Sequence, residues 1–150
     1  MQTAKQAHSF RSDQEDKMKP ISCTRTRGLN IGSVVTVSDN SGGKLARITG
    51  VKRGKSVKGR QQSAGIGDWV KVSIRAGIPE MAGQVFDAVL IRQKKEFRRK
   101  TGERISFSDN AVAILKDDKG NPKGTQIKGP IAREINERWP LVAKIASMTV

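Results

Sequence analysis

Apolar residues alternate with polar ones over short stretches of this chain, the period of half-buried β-strands. Behind Gly67-Asp68, Val70, Val72 and Ile74 interleave with Lys71, Ser73 and Arg75, which predicts a strand with one packed face and one wet, basic face. Val34, Val35 and Val37 predict an earlier strand, closed by the turn-rich run Ser38-Asp39-Asn40-Ser41-Gly42-Gly43. Leu45 to Val51 predicts the next, with Ala46 and Ile48 on one face. Two segments are apolar on both faces. One is the first half of a long strand from Val85 to Lys95, where Phe86, Ala88 and Leu90 oppose Val89 and Ile91; the other is Ala111 to Leu115. Short strands at close spacing point to a mostly β protein, a small closed barrel that leaves no unpaired edge.

The pattern changes at both ends. Before Leu29 the only large aliphatic or aromatic residues are Phe10 and Ile21, set among Gln, Ser, Lys and Asp. Residues 1–28 therefore read as a polar arm, flexible when free, which either plays no part or orders on a partner. Residues 29–150 read as a single domain. Near the C-terminus, Gly129-Pro130 reads as a helix start with Pro at the first helical position. Ile131, Ile135 and Trp139 then recur every four residues, while Arg133, Glu134, Glu137 and Arg138 face outward, open to protein partners. Pro140 ends that run, and Leu141, Val142 and Ile145 predict a second short helix.

Composition strengthens the β reading. There are 13 Ile and 12 Val against 5 Leu, and β-branched side chains favour pleated sheets over helices. No apolar run exceeds five residues, which excludes a transmembrane helix and a secretory signal. One Cys and one His exclude an internal disulfide and a Cys/His zinc site.

Charge changes the picture most. With 29 Lys+Arg against 14 Asp+Glu, the chain carries a net charge of +15. Between residues 40 and 67, Lys44, Arg47, Lys52, Arg53, Lys55, Lys58 and Arg60 stand without one acid, and repeated glycines predict an open loop between strands. A second cluster, Arg92, Lys94, Lys95, Arg98, Arg99, Lys100 and Arg104, meets only Glu96 and Glu103. Lys100-Thr101-Gly102-Glu103 reads as a turn, so the long strand returns through Ile105 and Phe107 as a hairpin. Its basic half is expected to project into anionic surroundings. Two single-sign clusters exceed what solubility requires and point to nucleic acid. No basic amphipathic helix suggests a membrane surface.

Aromatics make up 4% of the chain, and Trp69, Phe86 and Trp139 sit in apolar contexts, which leaves only Phe97 and Phe107 as stacking platforms. Contacts are therefore expected mainly to phosphate and sugar of folded, double-stranded RNA, read by shape. A free single-strand RNA-binding barrel is the alternative, and it requires those two rings. A phosphodiester hydrolase has no residues to carry it. Gly54-Lys55-Ser56 lacks the glycine spacing of a phosphate-binding loop, and His8 has no nucleophile beside it. Asp13, Glu15 and Asp16, like Asp117-Asp118, lack Ca²⁺-loop spacing, and Cys23 has no activating neighbour. No catalytic residue, metal site or cofactor is expected.

Seven blocks then occur in one order: Asp39-Asn40-Ser41-Gly42; Gly65-Ile66-Gly67-Asp68; Gly77-Ile78-Pro79-Glu80-Met81; Ala88 to Lys95; Phe107-Ser108-Asp109-Asn110-Ala111; Lys123-Gly124-Thr125; and Gly129 to Glu134. In these, from about Gly32 to Val150, the chain resembles the universal large-subunit ribosomal protein L-fourteen family in its archaeal and eukaryotic form. The resemblance implies a five-stranded barrel with a projecting β-ribbon and short C-terminal helices. It implies a non-enzymatic protein of the cytoplasmic ribosome that binds large-subunit rRNA at the face meeting the small subunit. It also implies an intersubunit bridge to small-subunit rRNA, contact with the large-subunit L-three protein and a further ribosomal protein, and a surface for an anti-association factor. Arg98 and Arg99 match the family's paired ribbon arginines, and Gly129 to Glu134 match a surface associated with protein partners. Ala82 and Gly83 stand where relatives carry basic residues, Thr101 replaces the usual Asp, and the arm before Leu29 matches no part of the family pattern.

Overall fold

A computed structural model describes residues 19–54 and 56–150. The remainder of the arm, with His8, Phe10, Asp13, Glu15 and Asp16, lies outside the described residues, as does Lys55. The strands are β1 (Cys23–Thr24), β2 (Leu29–Asn30), β3 (Val34–Val37), β4 (Gly43–Val51), β5 (Ser63–Ala64), β6 (Trp69–Gly77), β7 (Val85–Arg92), β8 (Phe97–Arg99), β9 (Arg104–Ile105), β10 (Ala111–Ile114), β11 (Ile127–Ile131) and β12 (Ala146–Thr149). Two short helices, α1 (Ile135–Arg138) and α2 (Pro140–Lys144), lie between the last two strands.

Five strands close into a barrel in the order β10-β3-β4-β6-β7. All neighbours are antiparallel except β10 and β3, whose parallel pairing closes the circle. Alternation sends Val35, Ala46, Ile48, Val70, Val72, Ile74, Leu90, Val112 and Ile114 into the barrel interior. The doubly apolar segments have a second core behind them. Val89 and Ile91 of β7 and Ala111 and Ala113 of β10 point away from the barrel, against Ile127, Ile131, Ile135, Trp139 and Val142. The C-terminal segment is thus the lid of a second core, anchored by Trp69 and Trp139 packed edge-to-face at 5.7 Å. Trp139 Nε1 also donates to the Gly67 carbonyl at 2.9 Å.

Three expectations need correction. Gly129-Pro130 opens no helix: both belong to β11, which pairs in parallel with β12. Gly129 takes φ +84 at a register shift in that pair, and the helical turn begins only at Ile135. The long strand stops at Arg92. Gln93 turns inward there, and its Nε2 donates to the carbonyls of Thr26 and Lys95 at 2.8 Å. The ribbon beyond is a separate three-stranded sheet, β1-β8-β9, whose first strand comes from the arm. Finally, the hairpin's basic half is not wholly projecting, since Arg92 and Arg99 are buried.

Where β4 and β6 meet, Gly43 pairs with Gly77. A Cβ at Gly77 would lie 2.6 Å from the Gly42 carbonyl oxygen and 3.0 Å from the Gly43 Cα. Backbone cannot move aside as a flexible side chain can. Gly77→Ala is expected to cost about 1–3 kcal/mol as an overpacking change, measurable by denaturant unfolding.

Candidate nucleic-acid interface

The predicted cations divide by environment. Lys44 and Arg47 are exposed on β4, while Arg53, Lys58 and Arg60 are exposed on the connection to β5. Arg53 and Lys58 take left-handed backbone, φ +60 and +56. Among its described residues, this connection has no helix or strand between positions 52 and 62. Gln62 braces its base: Val51 N–H donates to Gln62 Oε1 at 3.3 Å, and Gln62 Nε2 donates to the Gly54 carbonyl at 2.8 Å. In the ribbon, Lys94, Lys95, Arg98, Lys100 and Arg104 are exposed, and Arg104 pairs with Glu96 at 2.5 Å. Gly102 turns the tip with φ +93.

Lys52 is half-buried and committed to acids of the fold. Its Nζ reaches Asp118 at 2.8 Å and Asp87 at 3.0 Å, and sits 3.6 Å from the Trp69 ring centre. Burial opposes its charge, but the bonds to Asp118 and Asp87 outweigh it and raise the Lys52 pKa. Lys52→Ala is expected to cost about 1 kcal/mol by removing both ion pairs and the cation–π interaction. Thermal unfolding and the emission of Trp69 would report the loss.

Arg92 and Arg99 serve two buried networks. Arg92 Nε donates to Asp109 Oδ1 at 2.8 Å and Nη2 to Asp109 Oδ2 at 3.0 Å. Its Nη1 donates to the carbonyls of Lys128 and Pro130 at 3.0 Å, and Nη2 to Ser38 Oγ at 2.5 Å. The Arg92 hydrogen bond holds the Asp109 carboxyl below its ordinary pKa. Arg99 Nε donates to Glu134 Oε1 at 2.6 Å, and Nη2 donates to the Val150 carbonyl. Both side chains are more than nine-tenths buried. Glu134, expected on an outer face with Arg133, is therefore an internal counter-charge.

Of the other expected partner residues, Arg133 and Glu137 are exposed. Glu137 accepts from Ser22 N–H at 3.1 Å and Ser22 Oγ at 2.5 Å, and the hydroxyl bond lowers its pKa. Arg138 is mostly buried 3.5 Å from Asp68, which also pairs with Arg25. Burial lowers the Arg138 pKa despite the Asp68 charge. An open cavity of about 130 Å³ lies between the ribbon tip and α1, lined by Ser22, Lys100, Thr101, Arg133 and Glu137 among others.

Neither candidate stacking ring is free. Phe97 is 1% exposed, and Phe107 is half-buried against the second core. Cys23 packs there too, and burial raises its thiol pKa. Among the described residues, no group of three His, Cys, Asp or Glu side chains could hold a metal ion, and no helix could cross a membrane. The sequence pattern identified the wet basic face of β6 but did not gather Lys71 and Arg75 with Arg47, because the β4–β6 register brings them together.

The fold is that of a small basic β-barrel, with Arg92 and Arg99 held in buried ion pairs and exposed cations on the β4–β6 face, the β4–β5 connection and the ribbon. Comparison with known proteins makes this specific. A profile described as ribosomal protein L14p/L23e matches residues 28–150, and the chain belongs to that family. It is 56% identical over 133 residues to the large ribosomal subunit protein uL14 of Nanoarchaeum equitans, covering 89% of this chain and 100% of that relative. The protein of the same description from Methanothrix thermoacetophila is 50% identical, with 83% of this chain and 93% of the relative covered. That from Halobacterium salinarum is 46% identical, with 89% and 100% covered. Since 133 of the 150 residues align with the Nanoarchaeum protein, part of the segment before Leu29 has a counterpart after all. The pairing of Cys23–Thr24 with β8 gives that segment a structural role a motif search could not see.

Proposed function

We propose that the chain is a structural constituent of the large subunit of the cytoplasmic ribosome, binding large-subunit rRNA near the subunit interface. Contacts run mainly to phosphate and sugar, through Lys44, Arg47, Arg53, Lys58 and Arg60 of the β4–β6 region and Lys94, Lys95, Arg98, Lys100 and Arg104 of the ribbon. Lys55 belongs to the first group by position. The ribbon helps form an intersubunit bridge to small-subunit rRNA. The large-subunit L-three protein neighbours the chain, and an anti-association factor docks on Arg133 and Glu137 beside the ribbon tip. Of the arm, Cys23 and Thr24 pair with the ribbon strand β8.

One observation supports this most strongly. The buried cations Arg92 and Arg99 each hold an acid, whereas the ribbon and glycine-broken connection present cations to solvent. The excess charge therefore sits where a phosphate backbone can neutralise it. The buried Phe97 counts against a single-strand-binding barrel.

The test is a ribbon variant that spares the buried pair. Arg98→Ala with Lys100→Ala is expected to leave thermal unfolding within about 0.5 kcal/mol of the parent, since both side chains are exposed. Incorporation into large subunits should fall in competition with the parent chain. Incorporation at parental efficiency would contradict the assignment of the ribbon to RNA.

A further inference from the structure

The β4–β6 ladder shifts register between Gly43 and Leu45, between Leu45 and Ala46, and between Ile48 and Gly50. The first shift leaves Lys44 as the extra residue on β4. The second leaves Arg75 as the extra residue on β6, because Leu45 pairs with Ala76 and Ala46 with Ile74. A bulge bends its strand and re-aims the extra side chain. Consecutive bulges on facing strands thus turn out two cations, both exposed.

Arg47 lies one strand over, opposite Ser73, on the same outer face as Lys71 and Arg75. Lys71 and Arg75 are four residues apart, about 13 Å along the strand, with Arg47 about 5 Å to the side of their midpoint. Neither β4 nor β6 contains an acid. Asp87, opposite Lys71, and Asp118, whose charge Lys71 also feels, are both held by Lys52. Thr49 and Ser73 add hydroxyls, and the face carries no exposed aromatic ring.

We propose that this outer face is a rigid seat for the sugar-phosphate backbone of duplex RNA, with Lys71 and Arg75 joining Lys44 and Arg47 in binding phosphate. It rests on the reading of the chain as an rRNA-binding protein. Unlike the β4–β5 connection, the seat carries its cations within two barrel strands, Arg47 and Lys71 at paired positions and Lys44 and Arg75 at the bulges between them, so their spacing is set before RNA arrives and little ordering cost remains. The lack of an aromatic platform favours a duplex over a single strand, and four cations whose neighbouring acids, Asp87 and Asp118, are held by Lys52 favour RNA over a protein segment.

The full chain would be titrated against a fluorescent RNA duplex of about 20 base pairs across a KCl series. Lys71→Ala with Arg75→Ala is expected to weaken binding about tenfold at low salt and to reduce the salt slope by about two, one for each phosphate left without its cation. Its thermal unfolding should match the parent; Lys71→Gln with Arg75→Gln, which keeps more of each stem, repeats the test if it does not. Unchanged affinity and slope beside a salt-dependent parent would overturn the seat and leave the rRNA reading standing. A parent that binds no duplex would overturn both. In assembled particles, a photo-crosslinking residue at position 75 should label RNA. Labelling of protein alone would assign the face to a protein partner and overturn the seat.

Discussion

Arg99→Ala is expected to destabilise the protein by about 3–5 kcal/mol, the usual cost of stranding one member of a buried ion pair. For a chain of this length that is a fall of roughly 6–20 °C in the unfolding midpoint. The cost arises because Glu134, in a site 5% exposed, is left without its ion-pair partner, and the Val150 carbonyl loses a donor as well. Because β8 and the C-terminal segment meet through this pair, the second core should loosen with it. Replacing both partners with apolar residues of similar size should recover much of the loss, since an unpaired charge costs more than a missing pair. Differential scanning calorimetry of the single and double variants checks this. A stable Arg99→Ala protein would mean that Arg99 lies in solvent, as the sequence pattern suggested.

The second large effect is expected at Arg92. Arg92→Ala removes the donors from Asp109, Ser38 and the carbonyls of Lys128 and Pro130, which join β7 to the end of β3 and to β11. Breaking such a buried network is expected to cost about 3 kcal/mol or more. Acid should sharpen the comparison. Asp109 has a depressed pKa in the folded state, from an ordinary value of 3.8. Its stabilising contribution is therefore fully present above that ordinary value and lost as pH falls through the depressed one. The parent should lose stability over this acidic window, and Arg92→Ala should lose less there because the interaction is already gone. Urea midpoints between about pH 2 and 6 would show the two curves converging as pH falls.

The barrel was legible because alternation is a local signal. Val70, Val72 and Ile74 marked the inner face of β6 from their spacing alone, and Ala111–Leu115 read as apolar on both faces, although nothing in that run says that a second core covers the outer one. Gly129-Pro130 was misread because nothing nearby in sequence distinguishes a helix start from a strand whose parallel partner is Ala146–Thr149. Period two correctly set Arg98 apart from Phe97 and Arg99, but it could not say that the second face of the ribbon would be covered. That cover is Glu134 on the C-terminal segment and Cys23–Thr24 on the arm, both distant in sequence. The same limit applies to the candidate interface. Charge density located its projections, whereas the separation of structural from surface cations depended on tertiary pairing of Lys52, Arg92 and Arg99.

The central claim, a structural protein of the large ribosomal subunit, is tested most directly by sedimentation. A tagged copy of the full chain, expressed in growing cells, would be followed through gradients at a Mg²⁺ concentration low enough to separate the subunits. The account predicts that the chain sediments with the large subunit and stays there through moderate salt. Recovery only at the top of the gradient, or only with the small subunit, would contradict it.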